Sequence, residues 1–249
     1  KIKKYNSAHL FEPNGQGLRQ RYDKAHLVLF GEYVPFQYNS RLRWLYDWLN
    51  GISPWGVGPD GEPYEYSLAR GEGFKLLSMD APNQGGQTYR FGTPICYEGV
   101  MPYACRLFVG QGGSIKQADF LVNISNDGWF GHSAEHQQHL VASVFRAVEN
   151  RVGVARAVNT GVSGFVDPIG RLYGLVTDGD RLVGPGVVGY SVQTVRTCGR
   201  LTAYTRLGDW FAMVCCGLAG LMMAESVAAR LWRKARLATG RVESEAVDV

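Results

Sequence analysis

Cys96 stands in the stretch "RFGTPICYEG", residues 90 to 99, at the end of a short apolar run and directly before an aromatic residue and a carboxylate. A cysteine attacks carbon only as its thiolate, and the reference thiol pKa of about 8.5 must be lowered by a nearby cation or base for this to happen at neutral pH. Most free cysteines are small buried hydrophobes, so position alone favours structure over catalysis. Lys24 and Glu32 add weight to catalysis: a lysine at the start of the apolar stretch Leu27 to Phe30, with a glutamate on the turn that ends it, supplies a cation and a carboxylate that one cleft could hold. Such an ammonium stabilises both a thiolate and the oxyanion formed when the thiolate attacks a carbonyl. The plain alternative is a surface lysine beside a turn glutamate. His132, His136 and His139 lie in or beside a polar loop, and the chain has neither a G-x-S-x-G elbow nor an H-E-x-x-H pair, so they make only a weak metal set. The five cysteines form no C-x-x-C pair, and neither a zinc site, a disulfide framework nor a cofactor motif is expected.

The elements around these residues point to layered α/β packing. A chain of 249 residues, 45% hydrophobic, can bury one sizeable core, and 32 glycines imply many turns. A net charge of +4, with several basic residues gathered near the C-terminus, does not indicate a nucleic-acid partner. Alternating apolar and polar residues on both sides of Pro13-Asn14-Gly15 predict a β-hairpin. Leu27 to Phe30, Gly92 to Cys96 and Phe120 to Ile124 read as strands. Trp44, Leu45, Trp48 and Leu49 recur at helical spacing within residues 41 to 57. They predict a helix packed on the core, with an aromatic arm at a membrane interface as the alternative. A second helix is expected from Gln137 to Arg151, with Leu140, Val141, Val144, Phe145 and Val148 as its apolar face, followed by short strands in the β-branched stretch beyond.

The run from Trp210 to Ala224 carries no charge, and extension to Ala229 reaches bilayer-spanning length if Glu225 sits near an interface. Arg230, Arg233, Lys234 and Arg236 follow as a stop-transfer flank, whose basic side is expected in the cytoplasm.

Five ordered segments, "RYDKAHLVLFGEYVPF", "PICYEGVMP", "VNISNDGWFGHSAEHQQH", "RAVENRVGVARAVNTGVSGFVDPIGR" and "LTAYTRLGDWF", resemble the carboxyl-terminal part of the apolipoprotein N-acyltransferase family. That family is the membrane-bound branch of the nitrilase, or carbon-nitrogen hydrolase, superfamily. The likeness runs from about Tyr5 to Trp210. It implies an α/β fold, the αββα nitrilase-like sandwich, amino-terminally truncated and followed by one C-terminal transmembrane helix. The domain at residues 1–207 would lack its first strand and helix, residues 208–230 would span the membrane, and 231–249 would form a basic, then acidic, cytoplasmic tail. The resemblance makes Cys96 the nucleophile and Lys24 its catalytic lysine, supported by Glu32, Tyr97 and Glu98. The family's general-base glutamate would lie upstream of Lys1, so the chain alone is expected to be inactive. The implied reaction moves an acyl chain from a phospholipid onto the cysteine, then to the free α-amino group of a diacylglyceryl-modified apolipoprotein. The setting would be the bacterial inner membrane with the catalytic domain on the periplasmic side. A soluble nitrilase-type amidase and a non-catalytic membrane-anchored module are the alternatives.

Overall fold

A computed structural model describes residues 3–11, 15, 17–53, 55–58, 61–62, 64–81, 85–110, 113–131, 133–178, 181–182 and 188–245. The chain divides into two units, Lys1–Arg206 and Leu207–Val249.

The first unit opens with the expected hairpin. Strands β1 (Ser7–Phe11) and β2 (Leu18–Asp23) pair antiparallel with Ser7 opposite Asp23, and a register shift falls between Leu10 and Phe11. Pro13 and Asn14 lie outside the described residues. Helix α1 covers Arg43–Ile52. A six-stranded mixed sheet follows, built from β3 (Leu77–Ala81), β4 (Gln87–Gly92), β5 (Phe120–Asn126), β6 (Gly153–Asn159), β7 (Gly164–Val166) and β8 (Leu172–Tyr173), in that spatial order. The central pairs β4–β5 and β5–β6 are parallel, and the outer ones antiparallel. Their crossovers carry α2 (Pro102–Gly110) and α3 (Glu135–Asn150). Two-residue strands β9 (Thr177–Asp178) and β10 (Arg181–Leu182) pair beyond the sheet, and α4 (Ala203–Leu207) closes the series. Hairpin and sheet share one core: Ala8 and Tyr22 bury against Phe91, Phe108, Leu121 and Val154. Gly92 lets α2 pack closely on β4, since a Cβ there would meet the Phe108 ring at 2.6 Å. The expected α/β arrangement is therefore present.

Four expectations need correction. Leu27 to Phe30 is not a strand: Leu29 makes only an isolated bridge with Tyr33, because the Glu32 carboxylate and backbone fold the segment back onto Val28. Strand β4 ends at Gly92 rather than running to Cys96. Pro94 offers no N–H to a ladder, and only Ile95 bridges onward, to Ile124. Helix α1 does not pack its tryptophans on the core, for Trp44 is 67% exposed and Trp48 59%. It is anchored instead through Tyr46 and Asn50, the latter donating to the Tyr64 carbonyl at 3.2 Å. In α3 only Leu140 and Val144 of the predicted apolar face turn inward, while Val141, Phe145 and Val148 are exposed. The buried side of this helix is largely polar: His136, His139, Ser143, Arg146 and Asn150.

The second unit is dominated by α5 (Trp210–Glu245). Its stretch Trp210–Lys234, 25 residues, is long and apolar enough to cross a membrane. At 1.5 Å per residue it measures about 37 Å, against roughly 30 Å of bilayer hydrocarbon.

Candidate active site

Cys96 opens a single 3-10 turn, Cys96–Gly99, where the chain leaves the sheet. Its φ of +52° lies in the left-handed region that side-chain-bearing residues rarely adopt. Such strain persists only where surrounding bonds over-determine it, and here Glu98 supplies them. One Glu98 oxygen accepts hydrogen bonds from the Ala25 and His26 backbone N–H groups and from the Tyr22 hydroxyl, each at 2.8 Å. The other accepts from the Ile95 N–H at 2.9 Å. Gly99 permits a second tie, since a Cβ there would meet Asn123 Nδ2 at 2.7 Å, the atom that donates to the Pro94 carbonyl. Glu98 thus clamps the turn carrying Cys96 to the loop carrying Lys24. Burial pushes the Glu98 carboxyl above its ordinary value, although the backbone and Tyr22 hydrogen bonds and the Lys24 charge pull the other way.

Lys24 is fully buried, and its Nζ donates to both Glu32 oxygens at 2.9 and 2.7 Å. Glu32 also accepts from Asn6 Nδ2 at 3.0 Å and from the Val28 N–H at 2.9 Å, so one carboxylate closes the whole loop between Lys24 and Glu32. An ammonium has three N–H bonds, and the third has no partner among the described residues.

Beside these residues lies a cavity of about 1330 Å³, lined by Glu32, Cys96 and Tyr97 together with Val28, Leu68, Ile95, Ile124 and a group of aromatic side chains: Trp55, Tyr64, Tyr66, Trp129 and Phe130. Trp55 and Trp129 meet edge to face at 5.4 Å. The structure therefore gathers Cys96, Glu32 and Tyr97 on one cavity and holds Lys24 and Glu98 in the layer behind it. Sequence reasoning singled out Trp55 but missed Trp129 and Phe130, which lie in a loop read only as polar.

It also missed the network beneath. Asp127, on the 3-10 turn after β5, is completely buried. Its Oδ1 accepts from Ser125 Oγ at 2.6 Å and faces His139 Nδ1 at 3.0 Å, and its Oδ2 accepts from Arg156 Nη2 at 2.9 Å. Arg156 gives its remaining bonds to Asn123 Oδ1, Ser143 Oγ and the Val162 carbonyl, all buried. Burial raises the Asp127 carboxyl, but the hydrogen bonds from His139 and Ser125 and the charges of His139 and Arg156 outweigh it and hold the group below the usual carboxylate range. Asp127, Glu135 and His139 bring possible ligand atoms within 4.8 Å of one another. With both Asp127 oxygens occupied and a guanidinium in contact, the group is an ion-pair network rather than a cation site. His139 and Glu135 line the same cavity as Cys96, whereas His132 lies outside the described residues.

The model of the carbon-nitrogen hydrolase family matches residues 1–182. The chain is 34% identical over 231 residues to the apolipoprotein N-acyltransferase of Geobacter metallireducens, covering 90% of this chain and 36% of that protein. It is 38% identical over 161 residues to that of Bdellovibrio bacteriovorus, covering 64% and 25%. Among solved structures, an amidase from Nesterenkonia sp. is 19% identical with a TM-score of 0.44, covering 72% of this chain and 52% of that one. The chain spans 36% of the length of the first of these acyltransferases and less of the second. On the match across residues 1–182, the chain belongs to the carbon-nitrogen hydrolase family, and over most of its length it is a homologue of proteins named apolipoprotein N-acyltransferase.

Proposed function

We propose that this chain forms the nitrilase-like part of a membrane-bound acyltransferase that carries an acyl group on Cys96. The observation that carries this reading is the cavity of about 1330 Å³ with Cys96, Glu32 and Tyr97 on a mostly apolar wall. It has room for a lipid chain beside the thiol. In the first half-reaction the Cys96 thiolate attacks the ester carbonyl of a phospholipid, the carbon–oxygen bond breaks, the lysophospholipid leaves as an alcohol carrying the proton the thiol gave up, and a thioester remains. In the second, the α-amino group of a diacylglyceryl-modified apolipoprotein attacks the thioester and releases the thiol, which is ping-pong covalent catalysis. Lys24, with the backbone N–H of Tyr97, stabilises the oxyanion in both halves. Glu32 keeps the ammonium charged and aimed, and Glu98 sets its loop against the Cys96 turn. Residues 1–207 make up the catalytic domain and 208–230 the span. Arg230, Arg233, Lys234 and Arg236 hold the tail 231–249 in the cytoplasm, placing the domain on the periplasmic side of the inner membrane. The exposed Trp44 and Trp48 suit an interfacial surface.

The test is mass spectrometry of the protein, expressed with the sequence that flanks it in its gene and held in detergent with phospholipid. A hydroxylamine-sensitive acyl adduct on Cys96, absent from Cys96→Ser, is the expected result. Hydrolysis of small amides with no acyl adduct from lipid would favour the amidase instead.

A further inference from the structure

Glu135 is the first residue of α3, and its side chain lines the cavity that also holds Cys96. Little holds it in place. Its Oε1 lies 3.5 Å from His139 Nδ1, which sits closer to Asp127 at 3.0 Å. Its Oε2 is shielded from solvent and has no hydrogen-bond partner among the described residues. The neighbouring charges are already matched: Arg156 pairs with Asp127, and the other cavity carboxylate, Glu32, pairs with Lys24. Among the described residues, Glu135 is thus the cavity-lining carboxylate that no Lys or Arg neutralises. The side chain as a whole is 24% exposed, but a shielded carboxylate oxygen with no partner is costly, and a cavity that keeps one is suited to a ligand that brings the positive charge.

We propose that Glu135 receives the primary ammonium group of the acyl acceptor and holds it beside the thioester. The proposal rests on the reading that Cys96 carries an acyl thioester. Four groups face Glu135: Asp127, His139, His136 and Arg156. Burial, then the Asp127 charge, raise its carboxyl above the ordinary value, while His139, His136 and Arg156 work against the rise.

The experiment compares the two half-reactions in the protein with its flanking sequence, in detergent, using phospholipid as donor and a diacylglyceryl-cysteinyl peptide as acceptor. For Glu135→Gln the ratio of the transfer rate to the thioester-forming rate should fall about tenfold at neutral pH, the scale of one charge-assisted hydrogen bond. Glu135→Asp should recover part of it. In the unsubstituted protein, acidification should weaken inhibition by a short-chain primary amine while leaving its N-acetylated counterpart unaffected. A ratio within twofold of the starting protein, or equal pH responses of amine and acetylated amine, overturns the proposal. A protein that forms no thioester at all overturns the acyltransferase reading itself, which is a separate result.

Discussion

Glu98 and Asp127 are both completely buried carboxylates bonded to residues that line the Cys96 cavity, yet they are held in different ways. Glu98 rests on three backbone N–H groups and one phenol, with no ion pair among the described residues, and its carboxyl is pushed up. Asp127 meets a guanidinium and an imidazole, and its carboxyl is held down. The first joins a single 3-10 turn to a loop without regular structure, so it works as a clamp on geometry. The second joins β5, β6 and α3, elements that the sheet ladder and core already define, so it satisfies buried polar groups rather than choosing where they go. Burial behind one cavity does not make the two equivalent. Losing the clamp should disturb the site more than the fold, and losing the ion pair should do the reverse.

The largest effect on stability is expected for Arg156→Met, which strands Asp127 as an uncompensated buried charge. Urea unfolding should show a loss of about 3–5 kcal/mol. A loss under about 1 kcal/mol would mean that His139 and Ser125 alone satisfy Asp127. Next comes Glu98→Ala, which removes the acceptor of four buried donors at once. The cost should be about 2–4 kcal/mol, with thioester formation at Cys96 falling further than the population of folded protein explains. If activity tracked folded fraction alone, Glu98 would be a stabilising group like Asp127. Smaller again in stability is Lys24→Met, about 1–3 kcal/mol. The Glu32 side chain left behind keeps 17% of its surface exposed and retains its bonds from Asn6 and the Val28 N–H. Thioester formation should nevertheless drop to background, and retention of more than a tenth of it would remove Lys24 from the oxyanion site.

The same contrast explains what could be read from sequence. Cys96, Tyr97 and Glu98 are neighbours in the chain, and Lys24 and Glu32 bracket one short loop, so local pattern exposed them. Asp127 and Arg156 lie 29 residues apart and meet only because β5 and β6 pair in parallel register, which no local pattern encodes. Helix α3 misled for a related reason. Apolar periodicity assigns the inward face by counting Val141, Phe145 and Val148, but His139, Ser143 and Arg146 can be buried once partners take most of their polar atoms, His139 Nε2 and Arg146 Nε staying unpartnered among the described residues. The hairpin, the central strands and the apolar C-terminal helix were readable because their signal is hydrophobic or turn-borne. The loop from Lys24 to Glu32 was not readable as a loop, since its shape comes from one carboxylate capturing a buried ammonium.

The smallest effect, and the sharpest separation of the two carboxylates, is in the pH dependence of stability. Asp127 has a folded-state pKa below its unfolded value, so its contribution is present above the ordinary carboxylate range, near pH 4, and is lost as pH falls through the depressed value. Glu98 has the opposite sign. Its folded-state pKa is raised, so the folded protein binds the proton more tightly, and stability declines as pH rises from the ordinary value to the raised one. In a His26→Gln background, which removes the opposing loss from an imidazole whose pKa burial lowers, urea midpoints taken from pH 6.5 down to pH 3 should therefore rise slightly before they fall. Glu98→Gln should flatten the rise and leave the acid limb in place. Asp127→Asn should make the acid limb shallower without abolishing it, because Asp167 and Asp23 also have depressed pKa values in the fold. An acid limb equally steep in Asp127→Asn would show that the Arg156 pair is not coupled to protonation. A rise that survives Glu98→Gln would locate the tighter proton elsewhere, with Glu135 the next group to substitute, since its carboxyl is raised by burial as well.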